Sequence, residues 1–247
     1  IAECLARPEL VIDISRLAEL RGVDEGPDGL IVGSCVTHSA FEDGEVADVS
    51  NGLMRRVAGG IAYRAVRNRG TIGGSLGHAD PAADWPPVLI ALGAGIGVRG
   101  PGGARTVAAE ALVTGILETA LEPGEIIETV RVPRLGAAAR FGHQKVACKP
   151  GDFADGIAVV VVDRPRAVRA VVAGPAQPPR RLPRTEAALV SAERWSSALE
   201  RTSVGVPGEA FLETAELHVR VVDAAQFTLA CHLDPGLGAP PGLWRSA

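Results

Sequence analysis

The chain has 247 residues, of which 47% are hydrophobic and 22% charged, and this composition fits one large folded domain or two ordinary ones. The net charge of −4 does not indicate the basic surface that binds nucleic acid, and no apolar run approaches the roughly 18 residues that span a bilayer. Neither the four separated cysteines nor the scattered histidines have metal-ligand spacing, so we expect a reduced, cytoplasmic protein without a protein-bound metal.

The first part of the chain predicts short strands and helices joined by turns. Leu10–Ile14 is apolar and β-branched, which favours a strand. Leu20–Val23 and Leu30–Val32 flank the turn-rich segment 25–29 and predict a hairpin. Thr37 is a suitable N-cap for a short helix that follows it.

The next part predicts helices around a glycine-rich loop. Apolar and basic residues over Leu53–Val66 predict an amphipathic helix, weakened by an internal Gly-Gly pair. Segment 68–80 is polar and rich in glycine, which predicts a loop. Asp80-Pro81 then predicts a helix start, with an acid at the N-cap and proline at the first position. Pro86-Pro87 limits that helix or restarts it.

Strands dominate the middle of the chain. Two more hairpins are predicted by β-branched runs on either side of short turns. These runs are Ile96–Arg99 with Arg105–Val107, and Ile157–Val162 with Ala167–Ala173. Glu125–Val132 predicts an edge or barrel strand that Pro133 ends. The composition is helical from Thr185 to about His232.

This order of elements indicates an α+β fold, and without a GxGxxG motif or regular strand–helix alternation a Rossmann sheet is disfavoured. Residues 134–139 form a plausible junction between domains. We therefore expect a first domain over 1–134, a second over 140–233, and a Pro/Gly-rich tail over 234–247.

The stretch from Arg69 to Pro86 carries the most chemical information. Adjacent Gly73 and Gly74 predict positive φ angles, which would turn successive backbone N–H groups toward a phosphate. Thr71 and Ser75 add hydroxyl groups on either side. A tight turn followed by a capped helix accounts for the same residues, so both interpretations stay open.

Two acids follow this glycine pair. Asp80 and Asp84 are four residues apart, which would place both in the first turn of the predicted helix. Carboxylates in that position can accept hydrogen bonds from ribityl or ribose hydroxyls.

The segment reads TIGGSLGHADPAADWPP, which resembles the TIGG…ADPxxDxP signature of the FAD-binding medium subunits of carbon monoxide dehydrogenase and related molybdenum hydroxylases. LARPELVIDISRL, AVRNRGTIGG and LEPGEIIETVRVP occur in the order typical of that family. The stretch from Gln144 to Ala154 is similar to the KxxxRxGDFA sequence that opens the family's second domain. Together these similarities cover about residues 5–175.

The resemblance implies a fold and a cofactor. The fold is an FAD-binding domain of the PCMH (vanillyl-alcohol-oxidase-like) type, followed by a CO dehydrogenase flavoprotein C-terminal-type domain with an antiparallel sheet packed with helices. The cofactor is FAD. The residues that match the loop on its phosphate side are Thr71, Gly73, Gly74 and Ser75.

The remaining assignments also follow from the resemblance. Asp84 matches the acid that reaches the ribityl chain, and Asp80 matches the acid before the proline. Lys145 matches a lysine placed near the isoalloxazine, although a solvated strand lysine is an equal alternative. Asp152 is interpreted as a turn or capping residue and His78 as an exposed one.

The sequence departs from the family pattern in several places. In the family, a second glycine-rich turn, AGG(H/Q)SL, precedes the LARPELVID strand and completes the pyrophosphate site. The sequence starts at Ile1, after that point, so we expect either part of a longer chain or a protein with half of this site. Ser75 and Trp85 stand where Asn and Leu are usual, and Cys148 replaces an Arg, which indicates a divergent member.

The function implied by the resemblance is electron transfer. The chain would carry FAD beside an iron–sulfur small subunit and a molybdopterin large subunit, and relay electrons from [2Fe–2S] clusters to an external acceptor. It would need no catalytic acid–base residue of its own, because the redox chemistry belongs to the cofactor. The alternatives are a flavin-free homologue that uses the cleft for a small molecule or a non-redox reaction such as cyclisation, and a purely structural subunit.

Overall fold

The computed structural model of the protein describes residues 10–163 and 167–191. The predicted helices beyond 191 and the predicted tail over 234–247 lie outside the described residues. No helix within the described ranges has the length and apolarity needed to cross a membrane.

Eleven strands form within these residues, all in antiparallel pairs. In chain order they are β1 (Val23–Gly26), β2 (Gly29–Gly33), β3 (Gly95–Gly100), β4 (Gly103–Ala108), β5 (Val113–Gly115), β6 (Glu118–Thr119), β7 (Ile126–Pro133), β8 (Arg140–Val146), β9 (Gly156–Asp163), β10 (Ala167–Gly174) and β11 (Gln177–Arg181). They make a five-stranded sheet in the order β1-β2-β7-β3-β4, a four-stranded sheet in the order β11-β10-β9-β8, and the β5–β6 hairpin.

Seven α-helices and one short 3-10 helix (Ala18–Leu20) accompany the strands of the described residues. The α-helices are α1 (His38–Asp43), α2 (Leu53–Gly59), α3 (Arg64–Arg67), α4 (Ile72–His78), α5 (Trp85–Leu92), α6 (Ala109–Leu112) and α7 (Pro183–Ser191). Helix α5 contacts strands of both larger sheets, and all eight of its residues are buried. This central position explains why the segment is apolar on every side.

The three predicted hairpins are confirmed as β1–β2, β3–β4 and β9–β10. The strand predicted over Glu125–Val132, at an edge or in a barrel, is confirmed as β7, but it does not lie at an edge, because it pairs with β2 on one side and β3 on the other. Its inward residues Val130 and Val132 are fully buried. The buried centre of the larger sheet is therefore built around β7.

The apolar core continues from the larger sheet to β9. Ile157, Val159 and Val161 on one face of β9 belong to the same core as the five-stranded sheet. The opposite face of β9 packs with Leu189 of α7. Because β9 is buried on both faces, its sequence is a continuous apolar run and does not alternate between apolar and polar residues. The division into domains at 134–139 stays a prediction.

Two predicted elements are wrong in ways that packing explains. Leu10–Ile14 forms no strand, and Leu10 and Ile12 are each 74% exposed. A β-branched segment needs a partner strand, and the described residues provide none there. The single helix predicted over Leu53–Val66 is divided into α2 and α3, because α2 ends at the Gly-Gly pair and Ala62 beyond it has a positive φ of 42°.

Candidate functional site

Helix α4 replaces the loop that the glycine content predicts. It begins at Thr71, whose Oγ1 accepts a hydrogen bond from the Gly74 N–H at 3.0 Å. Leu76 on its inner side is 1% exposed. The N-cap and the buried apolar face together outweigh the low helix propensity of glycine.

The backbone N–H groups at the start of α4 already have acceptors. Ile72 donates to the Val36 carbonyl at 3.1 Å, and Gly73 donates to the Ser34 carbonyl at 2.9 Å. Neither Gly73 nor Gly74 has a positive φ, so the predicted concave nest is wrong. Glycine is required at position 73 for packing, because a Cβ there would lie 2.3 Å from the Ser34 Cβ.

The start of α4 still offers polar groups to a ligand. The Thr71 hydroxyl accepts the capping bond and keeps its own hydrogen to donate. Gly74 is exposed and Ser75 is half-buried beside it. This segment can therefore offer a ligand the hydroxyls of Thr71 and Ser75, beside a surface at Gly74 that no side chain covers.

Asp80 and Asp84 are not on one helical turn, as was predicted. Asp80 lies in a turn where its Oδ1 accepts a hydrogen bond from the Ala82 N–H at 2.8 Å. Helix α5 begins only at Trp85, with Asp84 at the N-cap and no capping bond from its side chain. Pro86-Pro87 occupies the first turn, where missing N–H groups cost nothing.

The structure brings together Asp84 and Lys145, which are 61 residues apart in the sequence. The Lys145 Nζ on β8 donates to the Asp84 Oδ2 at 2.9 Å. The side chains are 14% and 8% exposed, respectively. Lys145 is therefore not a solvated strand lysine, since it forms a largely buried ion pair that joins β8 to the start of α5.

The second oxygen of Asp84 lacks a partner. Its Oδ1 is buried and accepts no hydrogen bond. Burial raises the pKa of the Asp84 carboxyl, and the Lys145 ammonium opposes that shift only in part. A buried acceptor without a donor costs about 1–3 kcal/mol.

His143 lies on the same face of β8 as Lys145 and is not apparent from the sequence. It is 8% exposed, and its Nε2 is buried without a hydrogen-bond partner. Burial lowers its pKa to about 4, and the positive charges of Arg56 and Lys145 add to that effect. Residues two positions apart lie on the same face of a strand, so the sequence relates 143 to 145 only if this segment is known to be strand β8.

His78, Asp152 and Cys148 take no part in the Asp84–Lys145 ion pair. His78 is exposed at the end of α4. The Asp152 N–H donates to the Lys149 carbonyl at 3.2 Å, which places Asp152 in a turn. Cys148 is an exposed free thiol. Among residues 10–163 and 167–191, no group of three His, Cys, Asp or Glu side chains is placed to hold a metal ion.

The fold is that of the FAD-binding domains found in molybdopterin dehydrogenases. The family model described as "FAD binding domain in molybdopterin dehydrogenase" matches residues 2–135. The chain belongs to this family, and its cofactor is FAD.

Several of the similar proteins with curated names are medium chains or medium subunits of oxidoreductases. The chain is 36% identical over 157 residues to the carbon monoxide dehydrogenase medium chain of Hydrogenophaga pseudoflava, covering 63% of this chain and 55% of that one. It is 34% identical over 206 residues to the nicotine 6-hydroxylase medium subunit of Paenarthrobacter nicotinovorans, covering 79% and 71%. The chain thus spans about half the length of the carbon monoxide dehydrogenase chain it matches.

Solved structures confirm the α+β fold. Carbon monoxide dehydrogenase from Hydrogenophaga pseudoflava superposes with a TM-score of 0.80 at 31% identity, covering 91% of this chain and 83% of that one. Quinoline 2-oxidoreductase from Pseudomonas putida 86 gives a TM-score of 0.80 at 27% identity, covering 94% and 84%.

The residues present fit FAD at one end of the cofactor. The buried, unpartnered Oδ1 of Asp84 is an acceptor suited to a ribityl hydroxyl. The Lys145 ammonium has further hydrogens to donate beside its bond to Asp84. At the phosphate end, the start of α4 offers hydroxyls and not free backbone N–H groups.

Proposed function

We propose that the chain is the FAD-binding electron-transfer subunit of a molybdopterin-dependent hydroxylase or dehydrogenase complex. Its partners would be an iron–sulfur small subunit and a molybdopterin large subunit, and its task would be to pass electrons from [2Fe–2S] clusters to an external acceptor. The observation that carries the proposal is the buried Asp84–Lys145 pair with its unpartnered carboxylate oxygen, in a chain of this family.

The site residues divide between the two ends of the cofactor. Asp84 would accept from the ribityl chain, and Lys145 would donate to the polar edge of the isoalloxazine. Asp80, already bonded to the Ala82 N–H, would shape the turn that carries Asp84. The protein would therefore bind and orient FAD through acceptors and donors that folding has already placed.

The phosphate end would be held by the start of α4. Thr71 and Ser75 would donate their hydroxyls, and Gly74 would leave room for a close approach. Gly73 would contribute by letting α4 pack against Ser34. When bound, FAD supplies the reversible electron uptake and release, and no residue of the chain is required as acid, base or nucleophile.

The relay is tested with the full-length protein purified together with its native partners. We expect FAD, [2Fe–2S] clusters and molybdopterin to co-purify in fixed ratio. Anaerobic addition of an oxidisable substrate should bleach the flavin absorption, and an acceptor should restore it. Carbon monoxide, aldehydes and N-heterocycles form a rational panel, because the similar proteins are named for such compounds.

A colourless chain that purifies alone and takes up no added FAD would contradict the proposal and favour the flavin-free alternative. A flavoprotein whose colour never responds to any electron donor through its partners would contradict the relay while leaving FAD binding intact.

A further inference from the structure

A buried hydrogen bond connects α1 to the residue that follows Asp84. The Trp85 Nε1–H donates to the Nδ1 of His38 at 3.0 Å. Trp85 is fully buried and His38 is 5% exposed. Phe41 packs on the indole with ring centroids 4.9 Å apart. The indole thus has a hydrogen bond and an aromatic contact from α1 in addition to its packing in the core.

His38 also holds the segment that leads into α4. Its backbone N–H donates to the Gly70 carbonyl at 2.9 Å. A Cβ at Gly70 would lie 2.8 Å from the His38 Nε2, so the imidazole fills the space that this glycine leaves. Thr37, next to His38, forms an isolated bridge with Thr71. One residue therefore contacts the approaches to both ends of the FAD site.

Few side-chain hydrogen bonds fix the start of α5, although its residues are buried. Asp84 makes no capping bond with its side chain, and its Oδ1 has no partner. The orientation of the carboxylate depends on the bond to Lys145 and on where the adjoining Trp85 is held. A directional hydrogen bond fixes the rotation of an indole in a way that apolar packing alone does not.

We propose that His38 is a positioning residue for FAD binding, which orients Asp84 through Trp85 and holds the segment before Thr71 through Gly70. The inference rests on the proposed function. Trp85 makes this link possible, since its indole N–H is the donor.

The bond requires a neutral imidazole with an unprotonated Nδ1. Burial lowers the pKa of His38 to about 4, and the nearby charge of Arg67 adds to this shift. His38 is therefore neutral at physiological pH, with its hydrogen on Nε2, and the acceptor for Trp85 is present.

The test compares three variants of the full-length protein. His38→Asn keeps an acceptor near the position of Nδ1, whereas His38→Leu removes it and leaves the Trp85 N–H buried without a partner. Phe41→Leu is the control, because it weakens packing on the same indole and retains the hydrogen bond. FAD dissociation constants are measured by titration of the flavin-free protein, and unfolding by urea.

We expect His38→Leu to weaken FAD binding about tenfold, because Asp84 is then no longer held in place and must be reoriented when FAD binds. His38→Asn should bind within about threefold of the wild type, and Phe41→Leu should lose stability but keep FAD affinity in its folded form. The proposal would be overturned if His38→Leu and His38→Asn bound FAD with equal affinity. It would also be overturned if the loss of FAD affinity in all three variants were simply proportional to their loss of stability.

A second readout does not depend on FAD. In the flavin-free protein, hydrogen exchange over 70–74 and over 84–86 should accelerate together in His38→Leu and stay near wild type in His38→Asn. If the wild type binds no FAD, the proposed function fails, and this exchange pattern still decides whether His38 positions the two segments. Unchanged exchange in His38→Leu would contradict it.

Discussion

Replacing Lys145 with methionine is expected to destabilise the folded protein by about 3–5 kcal/mol at pH 7, the usual cost of leaving one member of a buried ion pair unpaired. Its Nζ is 2.9 Å from the Asp84 Oδ2, and the Asp84 side chain is 8% exposed. Without the ammonium, the carboxylate must stay ionised in a dry environment or take up a proton. Urea unfolding of Lys145→Met beside the wild type measures this cost.

The stability lost in Lys145→Met should become smaller as the pH falls. Burial already raises the pKa of Asp84, and removing Lys145 raises it further, so protonation at lower pH relieves the unpaired charge. The double variant Asp84→Asn with Lys145→Met should recover most of the stability, because it removes both charges.

A matched control comes from an exposed ion pair. Arg99 Nε lies 2.7 Å from the Glu128 Oε1, and the Arg99 side chain is 57% exposed. Arg99→Met should cost about 1 kcal/mol or less. If Lys145→Met costs no more than Arg99→Met, the Asp84–Lys145 pair does not have the buried character described here.

The second large effect is a loss of stability between about pH 6.5 and pH 4. His38 and His143 are buried, and burial lowers the pKa of each from 6.5 to about 4. In this window the unfolded chain binds protons that the folded chain excludes, so stability is complete above pH 6.5 and decreases on acidification. Each imidazole contributes at most about 3 kcal/mol, with Asp84 acting in the opposite direction because its pKa is raised.

Two substitutions separate these contributions. His143→Phe removes a titrating group whose Nε2 has no partner, so stability at pH 7 should not fall and the acid-side loss should be smaller. His38→Asn should reduce the loss in the same way. Urea unfolding at several pH values measures both, and acid sensitivity that neither substitution changes would show that other groups cause it.

Local signals predicted the hairpins correctly. In β3–β4 and β9–β10, β-branched runs flank short turns, and the pairing partner is only a few residues away. The error at α4 has the opposite cause. The glycines there have low helix propensity, and the helix exists because Gly73 packs against Ser34, a residue 39 positions earlier.

The contacts of the candidate site also could not be predicted from local sequence patterns. Resemblance named Asp84 and Lys145, but their contact follows from β8 lying beside the start of α5, which no local pattern encodes. His143 and His38 had no sequence signal, because their importance comes from burial by distant segments. Trp85 stood out as a departure from the family, and its partner His38 became visible only in three dimensions.

The most direct test of the account is an FAD titration of the full-length protein after removal of bound flavin. We predict about one FAD per chain, with affinity weakened about tenfold or more in Asp84→Asn, since the charge and one of the two carboxylate acceptors are lost. Arg99→Met should bind as the wild type does. A wild-type protein that takes up no FAD, or an Asp84→Asn variant that binds FAD equally well, would contradict the site described here.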